Sequence, residues 1–410
     1  MMLGAIADDV TGGTDLASLV NHASRAVLLS FGIPRKPLPP ADALIIATKS
    51  RMAPVEEAKA TALEAVRYLA GAGAAQLYFK YCSTFDSTER GNIGPVIEVL
   101  MAELGLDVTL ACPSYPAYAR TVYQGHMFVG AQPLAESPMH HHPLTPMTDS
   151  NLVRFLGKQC HVPVGLVPLQ AVEEGADAVR ALWERRKDEG ERILVADAIF
   201  DRHIATIAAA ACHMRLVTGG AALGGALTAQ QPSRFSGGKA ARPPRTRATA
   251  LLSGSCSAAT LAQVKNAIET VPSRLLDPIR LIGDGKAEVA AVLDWAMAQK
   301  GDFLIYSTAE SARIKDVQAE LGVAQAGALV EDAFGEIAAG LAKAGLRRFV
   351  VAGGETSGAV IRALDIRTLS FGDELDPGVP WTYSIDPDGY TFALKSGNFG
   401  GPDFFRRAIA

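Results

Sequence analysis

The chain opens with an apolar run, Met2 to Ala7, that stops abruptly at two adjacent carboxylates, Asp8 and Asp9. A hydroxyl and two glycines follow, in Asp8-Asp9-Val10-Thr11-Gly12-Gly13-Thr14-Asp15. The apolar run reads as a buried strand, and the polar cluster as a strand-to-helix turn. Thr14 or Asp15 is the expected cap of a helix through Leu16-Ala17-Ser18-Leu19. In open α/β sheets, ligands sit outside the carboxyl ends of the strands. Asp8, Asp9 and Thr11 stand at that place. A solvated turn is the plainer reading of two aspartates. Beside a glycine pair at a strand end, however, adjacent carboxylates point to a ligand.

The same pattern recurs down the chain. Ala43-Leu44-Ile45-Ile46-Ala47 reads as a strand ending at Thr48-Lys49-Ser50-Arg51. Pro54 then opens a helix with Val55, Ala58, Ala62, Leu63, Val66 and Leu69 at helical spacing. Gln76-Leu77-Tyr78-Phe79 ends at Lys80-Tyr81-Cys82-Ser83-Thr84-Phe85-Asp86. Val108 to Cys112 stops at Pro113, and Ile193 to Ala196 stops at Asp197. Strands alternating with helices imply a parallel sheet. The strand ends then bring Asp8, Asp9, Arg51, Lys80, Ser83, Thr84, Asp86 and Asp197 to one rim. Cations, carboxylates and hydroxyls together suit a small polyhydroxy acid: the cations take its carboxylate, the other groups its hydroxyls.

At 410 residues the chain is long for one core, so two domains are expected. A charged fraction of 20% and a net charge of −4 describe an ordinary globular protein and argue against a nucleic-acid partner. The first twenty residues carry three aspartates and no Lys or Arg, unlike a signal peptide, and no apolar run reaches membrane-spanning length. Five scattered cysteines with no CxxC pair indicate neither a disulfide framework nor a cysteine zinc site, and point to the reducing cytoplasm. His140-His141-His142, in the loop-like stretch from Glu136 to Asp149, is a poor chelate because consecutive side chains point apart. No protein metal site is expected there. The loop reads instead as a wall of the crevice or a contact between copies of the chain.

Gln231 to Arg247 is rich in Gly, Pro and basic residues and has no periodicity, which marks a domain boundary. The expected division is residues 1–230, a linker over 231–247, and residues 248–410. After the linker a second α/β pattern starts. Ala250-Leu251-Leu252 ends in Ser253-Gly254-Ser255-Cys256-Ser257, with a helix from about Ala259. Phe303 to Tyr306 ends at Ser307-Thr308. Arg348 to Ala352 ends in Gly353-Gly354-Glu355-Thr356-Ser357-Gly358, with a helix from Ala359. Small residues at such turns leave backbone N–H groups free at a helix N-terminus, an arrangement that binds phosphate. Two of them in one domain suggest a nucleotide. Lys395 lies inside a third glycine-rich loop, Lys395-Ser396-Gly397-Asn398-Phe399-Gly400-Gly401. There is no GxxxxGK[ST], no complete GxGxxG after a strand, no HExxH and no GxSxG. The phosphate donor is thus expected in loops of another type.

These motifs resemble those of the four-carbon acid sugar kinases. The resemblance rests on Ala7 to Gly12, on Tyr78 to Thr88 with Gly91-Asn92-Ile93-Gly94-Pro95, on Gly353 to Gly358, and on Leu394 to Gly400. It covers nearly the whole chain. Arg120-Thr121-Val122-Tyr123-Gln124-Gly125, His141-His142-Pro143 and Pro146 to Ser150 are most similar to the members acting on 3-oxo acids. Gly13 stands where relatives often have alanine. The resemblance implies two α/β domains, each a mainly parallel sheet flanked by helices, with the active site in the cleft between them. It places the sugar acid on the first domain, at Asp8, Asp9, Thr11, Arg51, Lys80, Ser83, Thr84 and Asp86. It places ATP on the second, at Ser255, Ser257, Gly353, Gly354, Glu355, Thr356, Ser357, Lys395 and Gly397.

The reaction implied is phosphoryl transfer from Mg-ATP to a terminal hydroxyl, which depends on positioning and charge stabilisation. Asp9, or else Asp8, is the expected acceptor of the hydroxyl proton. Arg51 and Lys80 would hold the substrate carboxylate, and Lys395 would neutralise the transferring phosphate. Three other readings compete: a threonate or erythronate kinase, a sensor that binds without turnover, and a metal-dependent aldolase or isomerase using the histidine loop. The paired glycine-rich turns favour a kinase.

Overall fold

The apolar runs of the first half form parallel strands in a computed structural model, which describes residues 2–23, 25–141, 145–233, 235, 248–307 and 323–410. The chain divides into two units, Met1–Gly238 and Lys239–Ala410. In the first, β1 (Met2–Ala7), β2 (Val27–Phe31), β3 (Ala43–Ala47), β4 (Ala74–Lys80) and β5 (Thr109–Cys112) precede a small antiparallel sheet. That sheet is β6 (Arg120–Tyr123), β7 (His126–Val129) and β8 (Gln132–Pro133). β9 (Val164–Val167), β10 (Ile193–Ala196) and β11 (Leu216–Gly219) complete the main sheet. Its order is β2-β3-β1-β4-β11-β5-β10-β9, parallel throughout. Every residue of β3, β5, β10 and β11 is buried. Their runs lack alternation because both faces are covered.

The expected strands are found within a residue or two of their limits, and β1, β3 and β10 match end to end. Pro54 is the N-cap of the helix Val55–Gly71, which buries Ala58, Ala62, Ala65, Val66 and Leu69. The small antiparallel sheet was not foreseen. Its strands are four residues or fewer, too short for a periodicity to show.

In the second unit, β12 (Ala250–Ser253), β13 (Ser273–Leu275), β14 (Phe303–Tyr306) and β15 (Arg348–Ala352) are followed by β16 (Thr368–Asp376), β17 (Val379–Asp386) and β18 (Asp388–Lys395). Within the unit the order is β13-β14-β12-β15-β18-β17-β16. The strands are parallel as far as β18, and the meander β18-β17-β16 is antiparallel. Leu251, Val264, Leu304, Val350, Trp381, Phe404 and Phe405 share its core. Most of the linker stretch, Thr308 and His142 lie outside the described residues.

Candidate active site

Asp8 and Asp9 follow β1 directly, but the helix starts earlier than expected. It runs from Val10 to His22, and its cap is Asp9, not Thr14 or Asp15. Asp9 Oδ1 accepts from the Gly12 N–H at 2.7 Å. The second carboxylate outside the strand, Asp9, therefore meets the positive end of the helix dipole, which displaces any later cap. Gly12 is required by space. A Cβ there would lie 2.2 Å from Lys80 Nζ and 2.4 Å from Asp9 Oδ1.

Arg51 ties the strand ends together. Its Nε and Nη2 donate to Asp8 Oδ2 and Oδ1, each at 2.9 Å. Nη2 also meets Asp9 Oδ1 at 2.9 Å, while Nη1 reaches Asp86 Oδ2 only at 3.8 Å. The Asp8 side chain is 5% exposed, and both its oxygens are committed. Asp9 is 28% exposed, and its second oxygen is open. Burial pushes the Asp8 carboxyl above the ordinary range, against the pull of Arg51 and Lys80. Burial also pulls on the Arg51 guanidinium, but Asp8 and Asp9 outweigh it and hold the charge in place.

Residues that sequence reasoning left without a role fix this cluster. Asn92 Nδ2 donates to the carbonyls of Ser50 and Ala53 at 2.7 and 2.8 Å, which sets the Arg51 turn. Gln159 accepts from the Gly94 N–H at 2.9 Å and donates to Ser87 Oγ at 3.0 Å. Phe85, at φ 53° in the loop after β4, is fully buried and edge-on to Tyr81 and Phe155. Packing holds it in a conformation that a non-glycine residue rarely takes. The nearest signals were the glycines beside Asn92. A Cβ on Gly94 would meet Cys160 Sγ at 2.7 Å.

The remaining predicted groups fall as follows. Lys80 ends β4, is 4% exposed, and lies against Gly12. Ser83 is half-buried, with its Cβ 3.6 Å from where a Cβ on Gly220 would sit. Thr84 is buried, its hydroxyl 3.0 Å from Cys82 Sγ. Thr11 is exposed in the first turn of its helix. Asp86 accepts from Thr145 Oγ1, which ties the stretch around Thr145 to the loop after β4. Asp197 does not join the rim. It is fully buried, and its carboxylate accepts the N–H groups of Gln124, Gly125 and Leu169. It anchors the β6–β7 turn, an acceptor count that one sequence position does not reveal. Among the described residues, no group of three or more His, Cys, Asp or Glu side chains could hold a metal.

In the second unit three loops meet. Gly353 follows β15 at φ 127° and is the N-cap of the helix Gly354–Ala363. That helix begins five residues before the expected Ala359, so Glu355, Thr356 and Ser357 form its first turn. Ser257 caps the helix Ala258–Ile268, accepting from the Thr260 N–H at 3.2 Å. It also donates to the Gly397 carbonyl at 2.5 Å. A Cβ on Gly397 would lie 2.5 Å from Ser255 Oγ, and one on Gly254 would lie 2.3 Å from Thr356 Oγ1. Since β12 and β15 are paired neighbours, two helix N-termini open side by side between Ser255, Gly353 and Gly397. Unsatisfied N–H groups and two dipoles suit a polyphosphate.

Lys395 is turned inward. Its Nζ donates to Thr260 Oγ1, the Ser396 carbonyl and the Gly397 carbonyl at 2.9, 3.2 and 3.1 Å. It fixes the glycine loop from below. Burial lowers its ammonium from 10.5 to about 8. The unfolded chain then binds more protons between these values, so stability contributed here rises with pH across that window. Denaturant unfolding of the wild type should show this rise, and Lys395→Met should lose it. Parallel pH curves for the two proteins would remove the assignment.

Comparison with known proteins matches residues 3–227 to a sugar-binding N-terminal domain. Residues 250–405 match a nucleotide-binding C-terminal domain. A 3-oxo-tetronate kinase of Pseudomonas fluorescens is 47% identical, covering 100% of this chain and 96% of the relative. The chain belongs to the 3-oxo-tetronate kinase family. A family member from Cupriavidus necator is 45% identical over the same shares of both chains. Solved structures agree. A Haemophilus influenzae protein is 39% identical with a TM-score of 0.89, covering 99% of this chain and 98% of its own. A Salmonella typhimurium protein is 40% identical with a TM-score of 0.92 over the same shares. As a member of a kinase family with a nucleotide-binding domain, the chain is an enzyme that draws its phosphoryl group from ATP. Among the described residues no helix is long and apolar enough to cross a membrane.

Proposed function

We propose that the chain phosphorylates the 4-hydroxyl of a 3-oxo-tetronate, with the sugar acid on the first unit and ATP on the second. The full-length similarity to relatives named for that substrate carries the reading. The strand-end cluster supports it, since it offers a carboxylate with one open oxygen beside cations. Asp9 is the proton acceptor: Gly12 and Arg51 orient it through Oδ1, and its other oxygen is open to a hydroxyl. Asp8 is the clamp that holds Arg51. Lys80 and the Nη1 edge of Arg51 take the substrate carboxylate, while Thr11, Ser83, Thr84 and Asp86 surround it. On the second unit, Ser255, Gly353, Gly354, Glu355, Thr356, Ser357 and Gly397 surround the nucleotide, with Ser257 and Lys395 supporting the loop.

The ion that accompanies ATP would be Mg²⁺, held by phosphates and water more than by side chains, and it would spread the phosphate charge. Among the described residues no group of three or more His, Cys, Asp or Glu side chains could hold a metal ion, which suits coordination by the phosphates. Water must be kept from the transferring phosphoryl group, or ATP would be hydrolysed. A cytoplasmic setting, where ATP is available, suits five cysteines that are all free.

The test is ADP release from Mg-ATP with 3-oxo-tetronates of both configurations, threonate and erythronate. Turnover confined to a 3-oxo acid is the expected result. Turnover on threonate or erythronate alone would replace the substrate and keep the kinase.

A further inference from the structure

The proposed mechanism leaves one carboxylate of the first unit without work. Asp15 lies in the second turn of the helix Val10–His22, three and four residues after Gly12 and Thr11, and so shares their face. Its side chain points back toward the helix N-terminus, where Lys80 packs on Gly12. It is half-buried, and Lys80, Asp9, Tyr115 and Tyr118 all feel its charge. Yet among the described residues neither Asp15 nor Lys80 has a hydrogen-bond or ion-pair partner. Two opposite charges thus stand desolvated on one side of Gly12, too far apart to meet each other. A lysine at a helix N-terminus is also on the wrong end of the dipole, where an anion is favoured. Burial raises the Asp15 carboxyl, a cost that a bound hydroxyl donor would offset.

We infer that Asp15 is a specificity-determining residue: it accepts a hydrogen bond from the 2-hydroxyl of the sugar acid while Lys80 takes the adjacent carboxylate. An α-hydroxy acid carries an anion and a donor side by side, and so bridges the Lys80–Asp15 gap. The inference rests on the proposed substrate class.

The experiment compares wild type, Asp15→Asn and Asp15→Ala on the accepted four-carbon acid and on its 2-deoxy counterpart. The wild type should prefer the 2-hydroxy acid in kcat/KM by about 10- to 100-fold, the range of a hydrogen bond to a charged group. In Asp15→Ala that preference should fall to about twofold or less, with the KM for ATP unchanged. Asp15→Asn keeps an acceptor oxygen and should retain part of the preference. Both variants should unfold at or above the wild-type temperature, since an unpartnered half-buried carboxylate is removed. An undiminished preference in Asp15→Ala would overturn the inference and leave the kinase reading intact. A wild type inactive on every acid of the panel would instead bring down the substrate reading itself.

Discussion

Asp9→Asn should lower kcat by about 10²–10⁴-fold, the range of a lost general base. The KM for ATP should stay within about twofold, since no nucleotide contact is removed. The variant isolates the chemistry because asparagine is as good a helix cap as aspartate. Its side-chain oxygen can still accept from the Gly12 N–H, now made by Asp9 Oδ1 at 2.7 Å. The weakened contact is the one to Arg51 Nη2, and Asp8 keeps two hydrogen bonds to that guanidinium. Thermal unfolding of Asp9→Asn should therefore fall close to that of the wild type, while turnover collapses. A loss of less than about threefold in kcat, far below the general-base range, would move the proton elsewhere. Asp8→Asn is the contrasting variant. With both oxygens of Asp8 engaged by Arg51, it should cost stability and only indirectly turnover.

Much of this site was legible because its parts are strand ends. An apolar run that stops at Asp8-Asp9, or at Lys80, marks both the strand and the place proposed for a ligand. Parallel pairing then gathers groups that are far apart in sequence. What the residue string did not carry was how each side chain is used. Asp9 and Asp15 are equivalent as letters, and the cap went to Asp9 because the strand leaves it at the dipole's positive end. Asp197 ends a strand as Asp8 does, but three backbone N–H groups from two other segments converge on it. Lys395 sits in a glycine-rich loop, the usual place for a phosphate contact. Two carbonyls and a threonine claim its three protons, and only the folded loop shows that. The meander β16 to β18 was missed for a related reason: after a series of βα units, nothing local announces that β17 will pair antiparallel with both neighbours.

The largest stability effect belongs to Arg51. Arg51→Met removes the partner of a carboxylate that is 5% exposed, leaving the Asp8 charge buried and uncompensated. Breaking a buried pair from one side costs about 3–5 kcal/mol. For a unit of this size that corresponds to a fall of roughly 6–20 °C in unfolding temperature. Activity should fall with it, because Asp9 and Asp86 lose the cation that orients them. The pH dependence separates a lost charge partner from lost packing. Burial already holds the Asp8 carboxyl above the ordinary carboxylate range, and removing Arg51 takes away the largest opposing influence. In Arg51→Met the folded state then binds the Asp8 proton more readily than the unfolded state does. Stability from this group is present below the unfolded value and is lost as pH rises through the folded one. The deficit relative to wild type should therefore shrink as pH is lowered from neutral. Asp8→Asn introduced into Arg51→Met should recover part of the loss at neutral pH, because it deletes the stranded charge. A deficit independent of pH, with no recovery in the double variant, would mean that Arg51 acts through its packing and that the clamp on Asp8 is incidental.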